Sequence, residues 1–423
     1  MIDTRILGWW FIFLLGWCGP ALAQVPSDSS FLPRVLQGKS EILDRVLAQP
    51  EKYEIQILYT QIDRDRRNRP AFRSYHYRVN RGYFYPASTV KMPAALLALE
   101  KLNRLKLDKH TIVQIDSACC GQTTVRSDSS AKDFLPSVAQ YIRKIFVVSD
   151  NDAFNRLYEF IGQEALNEEL RRKGYRQTRI VSRLAVGATR EQNRFTNPVR
   201  FLAGDQTLYQ QPLVESKRAY RSVSPVFKGQ GEIRGDSLVK RPMDFTYANS
   251  FPLEDQQRML RSVLFPGSVP RHQRHRLTKP DYQFLYQCLS QLPRETHYPT
   301  YQTPEYVDGY GKFLLYGDRK DSIPDHLRIF NKIGQAYGTL TDNAYVVDFD
   351  RGVEFLLSAT IYVNEDQVLN DDRYEYDTVG LPFLGSLGRV IYEHEVKRKK
   401  KYPPDLGRFR VTYDSRERNG GNK

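Results

Sequence analysis

Residues 53–63, YEIQILYTQID, alternate apolar and polar side chains, and residues 73–80, RSYHYRVN, do the same. A period of two places neighbouring side chains on opposite faces of a strand. The polar run RDRRNRP between them supplies a turn, so the pair predicts an antiparallel hairpin. After Ser88 the period lengthens. VKMPAALLALEKLN reads as a buried helix, KDFLPSVAQYIRKIF (132–146) as a second and DAFNRLYEFI (152–161) as a third, stopped by Gly162. QEALNEELRRKG (163–174) is a fourth, with Gly174 where a C-terminal cap belongs. Near the end LRIFNKIG (327–334), GTLTDNAYVVDF (338–349) and VEFLLSATIYV (353–363) predict three strands, the last two joined by a hairpin turn at DRG, and LPFLGSLGRVIYEHEV (381–396) predicts a closing helix. Strands from both ends with helices between them predict an α+β fold: an antiparallel sheet of about five strands with a helical subdomain.

The two ends read differently from this body. MIDTRILGWWFIFLLGWCGPALAQ carries Arg5, an apolar run from Ile6 to Trp17 and Ala21-Leu22-Ala23, the pattern of a secretory signal peptide cleaved after Ala23. The run is too short for a stable membrane span, and Trp17 is not the small residue that a lipid anchor at Cys18 requires. The expectation is an exported, periplasmic protein with a lead segment at 24–50 and a body at 51–396. Of the net charge of +14, +7 falls after residue 396, where 10 Lys/Arg face 3 Asp/Glu. With Pro403-Pro404 and no apolar periodicity, 397–423 reads as a disordered basic tail that solvent or an anionic membrane or wall surface could engage. Nucleic acid is a poor partner for an exported chain, and the expected state is a monomer.

Export permits disulfides. The mature chain keeps Cys119, Cys120 and Cys288. Neighbouring cysteines rarely bridge each other, so three unbridged thiols are expected, with a bridge to Cys288 as the alternative.

Ser88 and Lys91 are three apart at the start of a helix, so their side chains share a side. A serine hydroxyl is a weak nucleophile until a base takes its proton. A lysine serves as that base when burial and a nearby cation lower its pKa. Pro93, just beyond, should cost a hydrogen bond or bend the helix. Sixty-one residues after Ser88 come Ser149-Asp150-Asn151, between two predicted helices, and Lys332-Ile333-Gly334 ends a predicted strand. In order and context these elements resemble the Ser-x-x-Lys, Ser-Asp-Asn and Lys-Thr/Ser-Gly motifs of the penicillin-recognising serine hydrolases, most closely class A β-lactamases. The resemblance covers roughly residues 50–200 and 326–396.

The resemblance implies roles. Ser88 is the nucleophile, Lys91 its base and Ser149 the proton shuttle to the leaving nitrogen. Asn151 binds the acyl-amide side of the substrate. Lys332 attracts its carboxylate and holds down the pKa of Lys91. The backbone N–H groups of Ser88 and of Gln335, the residue after Gly334, form an oxyanion hole, each such donor typically contributing about 3–4 kcal/mol. Asp150 is expected to orient rather than react. No cofactor or metal is implied. His272 and His275 are three apart, but no carboxylate or thiol near them in the sequence completes a metal site.

Three departures qualify the resemblance. Ile333 stands where the family carries a hydroxyl that binds the substrate carboxylate. The loop TRIVSRLAVGATREQNRFTNP (178–198) lacks the deacylating glutamate at its usual place, where Leu184 or Ala185 stands, leaving Glu191 as the candidate. Ser149 and Lys332 lie 183 residues apart, with an insertion at about 205–325 that is rich in Tyr, Arg and Pro; its aromatic stretch could wall the substrate groove. The implied activity is an acyl-enzyme serine hydrolase acting on a β-lactam, with a D-Ala-D-Ala peptidase or esterase acting on cell-wall peptides as the alternative. A non-catalytic envelope-binding protein is the third reading, and it has no use for the serine–lysine set.

Overall fold

The computed structural model describes residues 30–120, 122–301 and 304–413. The signal-peptide pattern and Cys18 lie outside them. Five strands, β1 (Gln56–Arg64), β2 (Pro70–Tyr77), β3 (Leu327–Ala336), β4 (Thr339–Asp348) and β5 (Val353–Tyr362), form one antiparallel sheet in the order β3-β4-β5-β1-β2. The two ends of the chain meet where Gln56 pairs with Thr360. In β5, Phe355, Leu357, Ala359 and Ile361 join one apolar cluster and Leu356 joins the other. Both faces are covered, which is why β3 to β5 read as near-continuous apolar runs rather than as alternation.

One face carries α1 (Phe31–Leu36), α2 (Glu41–Ala48) and, at the end of the chain, Leu381–Lys397. The other carries the helical subdomain: α3 (Lys91–Leu105), α4 (Val138–Val148), α5 (Asn151–Ile161), α6 (Gln163–Arg172), α7 (Leu253–Leu264) and α8 (Lys279–Ser290). Among the described residues no helix is long and apolar enough to cross a membrane.

Several expectations need correction. The lead segment contains two helices; Ser40 accepts from Leu43 N at 3.4 Å to cap the second. A six-residue helix such as α1 is too short to show a period. The helix expected from 132 begins at Val138, where Ser137 caps it. The basic stretch from 397 is not a disordered tail as far as residue 413. Leu406 and Phe409 are buried, and the Phe409 ring lies 4.9 Å from Tyr345 and 5.8 Å from Phe265. Arg408 stacks over Phe265 at 4.7 Å, so charges that suggested solvation cover an apolar anchor. Cys119 and Cys120 are bonded to each other, Cys120 taking a left-handed backbone (φ +64°), and Cys288 is buried outside any disulfide. The insertion folds into α7, α8 and several short strands.

Candidate active site

Residues 87–90 form a 3-10 turn that runs into α3 at Lys91. This resolves the Pro93 problem: it occupies the first turn of the α-helix, where backbone amides lack intrahelical acceptors. Ala87 is held at φ +45° immediately before Ser88, an unusual backbone for alanine and a local strain at the half-buried serine. Strand β3 packs directly on this turn. A Cβ at Gly334 would lie 2.6 Å from the Pro86 carbonyl oxygen and 3.3 Å from the Ala87 Cβ. Gly334 therefore serves by having no side chain, letting the strand edge approach the Ser88 turn.

Ser149 caps α4 in the left-handed region (φ +59°) and Asp150 caps α5, accepting from Ala153 N at 2.7 Å. Asp150 thus orients the turn, as expected. That turn aims both the carbonyl and the hydroxyl of Ser149 at Lys91. Lys91 Nζ donates to the Ser149 carbonyl, to Ser149 Oγ at 3.2 Å and to Asn151 Oδ1 at 2.7 Å. Lys332 Nζ reaches the same Ser149 Oγ at 2.7 Å and also donates to the Ile333 carbonyl at 2.9 Å. Ser149 is the junction between the two lysines.

Both amines are buried. Burial lowers the Lys91 pKa to about 7, against a weaker opposing pull from Asp150. Burial, and then the like charge of Lys91, push Lys332 well below the ordinary lysine range. An ammonium can fill all three Lys91 contacts. The neutral amine has two N–H groups and a lone pair, which can accept a proton from a hydroxyl.

Behind β3 lies a support that the motifs gave no sign of. Lys312, from the insertion, is fully buried and donates to the carbonyls of Leu289 and Ile329, each at 2.9 Å, and to Asn331 Oδ1 at 2.7 Å. Asn331 Nδ2 donates to Asp342 Oδ1 at 2.8 Å, and Asp342 Oδ2 accepts from Leu314 N at 3.0 Å. Burial lowers Lys312 to about 7 and raises Asp342 to about 6. Two polar residues paired inside apolar strands were the only available signal.

The free edge of β3 borders a cavity of about 670 Å³ lined by Ile333, Gln335, Tyr310, Phe313 and Arg319, among others. The tyrosine-rich insertion therefore lines this cavity beside β3, and Ser88, Lys91 and Ser149 are not on its lining. Tyr310 continues a row in which the rings of Tyr301, Tyr306 and Tyr310 lie 5.0 Å apart in succession. Glu191 is not brought to this cluster. It is exposed and bonded to Arg194 at 2.8 Å, with Arg190 3.8 Å away. The buried carboxylate of that region is Glu159, held by Arg183 at 2.6 Å and by the Asn197 amide. His275 is buried against Glu100, to which Lys173 also bonds at 3.0 Å. Among the described residues no group of His, Cys, Asp and Glu could hold a metal ion.

A sequence profile described as the beta-lactamase enzyme family matches residues 39–226. Similar solved structures include a beta-lactamase from Xanthomonas campestris, at 15% identity over 84% of this chain and 97% of that one with a TM-score of 0.47. Beta-lactamases from Sphaerobacter thermophilus (12% identity, 87% and 97% coverage, TM-score 0.47) and Streptomyces albus G (14%, 84% and 99%, 0.46) are also similar. No curated protein matches. The profile match, together with three motifs converging on Ser149 and the Ser88 turn, is consistent with the penicillin-recognising serine hydrolase superfamily.

Proposed function

We propose that this protein is an exported, periplasmic hydrolase that forms an acyl-enzyme at Ser88 and opens the amide of a β-lactam, releasing the product slowly. The observation that carries this is the pairing of Lys91 and Lys332 on Ser149 Oγ, with burial bringing Lys91 to about 7. Neutral Lys91 takes the Ser88 proton as Oγ attacks the carbonyl carbon. The tetrahedral oxyanion is met by the N–H groups of Ser88 and Gln335. Collapse breaks the C–N bond, and the Ser149 hydroxyl gives its proton to the leaving nitrogen while Lys91 returns one to Ser149. Asn151, fixed on Lys91, takes the acyl-amide side.

A D-Ala-D-Ala peptidase or esterase using the same chemistry is the second reading. Ile333 favours its esterase form, because an aliphatic side chain offers no hydroxyl to the carboxylate that a β-lactam and a D-Ala-D-Ala peptide both carry. Incubation with a chromogenic cephalosporin and a fluorescent penicillin, followed by intact mass spectrometry, tests both. An adduct on the Ser88 peptide that decays with release of the opened β-lactam supports the first reading. An adduct that persists, in a protein that cleaves a D-Ala-D-Ala peptide or an ester, supports the second.

A further inference from the structure

A second cavity, of about 550 Å³, opens between the 80–84 segment, the end of α6, residues 175–179 and the irregular insertion segment 219–224. Four arginines line it, Arg171, Arg176, Arg179 and Arg221, and no aspartate or glutamate does. Acidic groups nearby are engaged elsewhere. Asp255 binds Thr178 and Arg258, each at 2.7 Å; Glu168 binds Arg218 at 2.7 Å; Glu254 binds Asn80 at 2.8 Å. Among the described residues the side chains of Arg171, Arg176 and Arg221 make no hydrogen bond or ion pair. Arg179 is half-buried, and among the described residues its side chain's acceptors are the Ala248 and Thr246 carbonyls at 3.0 and 3.5 Å. The Tyr220 hydroxyl, on the same lining, is buried without a partner.

A partly buried guanidinium without a counter-charge is costly, and so is a buried unpaired hydroxyl. One ligand could relieve both. Four cations call for more than a single negative charge, and the guanidinium fork matches two oxygens of one phosphoryl group. The volume is that of a small-molecule site rather than a lone-ion site.

We propose that this cavity binds a phosphate- or pyrophosphate-bearing small molecule or headgroup, with Arg171, Arg176, Arg179 and Arg221 as its charge partners and Tyr220 as a donor. The site is separate from Ser88 and does not depend on the proposed hydrolysis. Calorimetric titration of the full chain with inorganic pyrophosphate, against sodium chloride of equal ionic strength, should show one saturable site. Arg179→Gln should weaken it about tenfold or more. Arg171→Gln and Arg221→Gln, on the exposed rim where folding is not at stake, should each weaken it measurably, and acylation at Ser88 should not change. Pelleting with vesicles containing phosphatidic acid separates the sources: co-sedimentation that pyrophosphate competes away assigns a lipid headgroup, and calorimetric binding without co-sedimentation assigns a soluble ligand. No saturable heat above the chloride control, or equal affinity in all three variants, overturns the proposal.

Discussion

The two halves of the proposed acyl-enzyme cycle are built unequally in this molecule. The acylation half sits where α3, the α4–α5 turn and β3 meet: two buried lysines share one serine hydroxyl within 3.2 Å. A glycine lets the strand close on the nucleophile's turn, and a buried lysine–asparagine–aspartate network backs that strand. In that proposal the release half falls to the loop at 178–198. Its candidate carboxylate, Glu191, faces solvent beside two arginines. The carboxylate that is buried near the loop, Glu159, is tied to Arg183 and a backbone amide and holds the loop in place. On the proposed cycle, acylation rests on a rigid, desolvated frame, whereas release would rest on a single loop group, which here is held at the surface.

The largest effect expected on this comparison is at the nucleophile. Ser88→Ala should abolish every covalent adduct with a β-lactam while circular dichroism and melting stay unchanged. An adduct that persists, or maps to another residue, breaks the acylation half outright. Next comes the base. Lys91→Ala should slow acylation by about 10²–10⁴-fold, the usual contribution of a positioned general base. Arginine should not rescue it, because a guanidinium does not give up its proton in a protein. Rapid acylation by Lys91→Arg, followed in a stopped-flow experiment, would remove Lys91 from the role.

Much of the acylation half was legible because its chemistry is written in fixed local spacing. Ser88 and Lys91 are a helical turn apart, Ser149-Asp150-Asn151 spans one interhelical turn, and Lys332-Ile333-Gly334 lies on a single strand. The five strands were legible locally too, β1 and β2 by alternation and β3 to β5 as near-continuous apolar runs between turns. What escaped was set by tertiary contact. Lys312 belongs to the insertion and acquires meaning only when it reaches under β3 to Asn331. Phe409 sits in a basic stretch whose charge outweighs three apolar residues in any count, yet its ring fills the aromatic cluster beside Tyr345. The Cys119–Cys120 bridge depends on a left-handed residue that no composition rule reveals.

A smaller effect is expected from pH. In the proposed mechanism the active form of Lys91 is the neutral amine, and with its pKa brought down to about 7 by burial, that form dominates above neutrality and falls about tenfold per unit below it. The acylation rate, measured as kcat/KM or as adduct formation in single turnover, should therefore drop on acidification below pH 7 and level off above it. The residual rate of Lys91→Ala should lack this acid limb. A wild-type profile that stays flat down to pH 5 would show that the lysine is not the titrating base.

The smallest expected effect is the sharpest test of the contrast between the two halves. Deacylation requires a water beside the ester carbonyl and a group to take its proton. Glu191 is the only acidic residue between Arg179 and Asn197, and its carboxylate is engaged with Arg194 at the surface. An exposed ion pair of this kind contributes little to stability, so Glu191→Gln should leave the melting temperature, the acylation rate and the lifetime of the acyl-enzyme unchanged. The wild type should already release β-lactams slowly, below the order of 10 s⁻¹ that is ordinary for enzymes. Mass spectrometry at successive times after mixing reads both quantities. If the variant accumulates adduct that the wild type clears, the loop does fold its carboxylate toward the ester during turnover, and release is built into this protein after all.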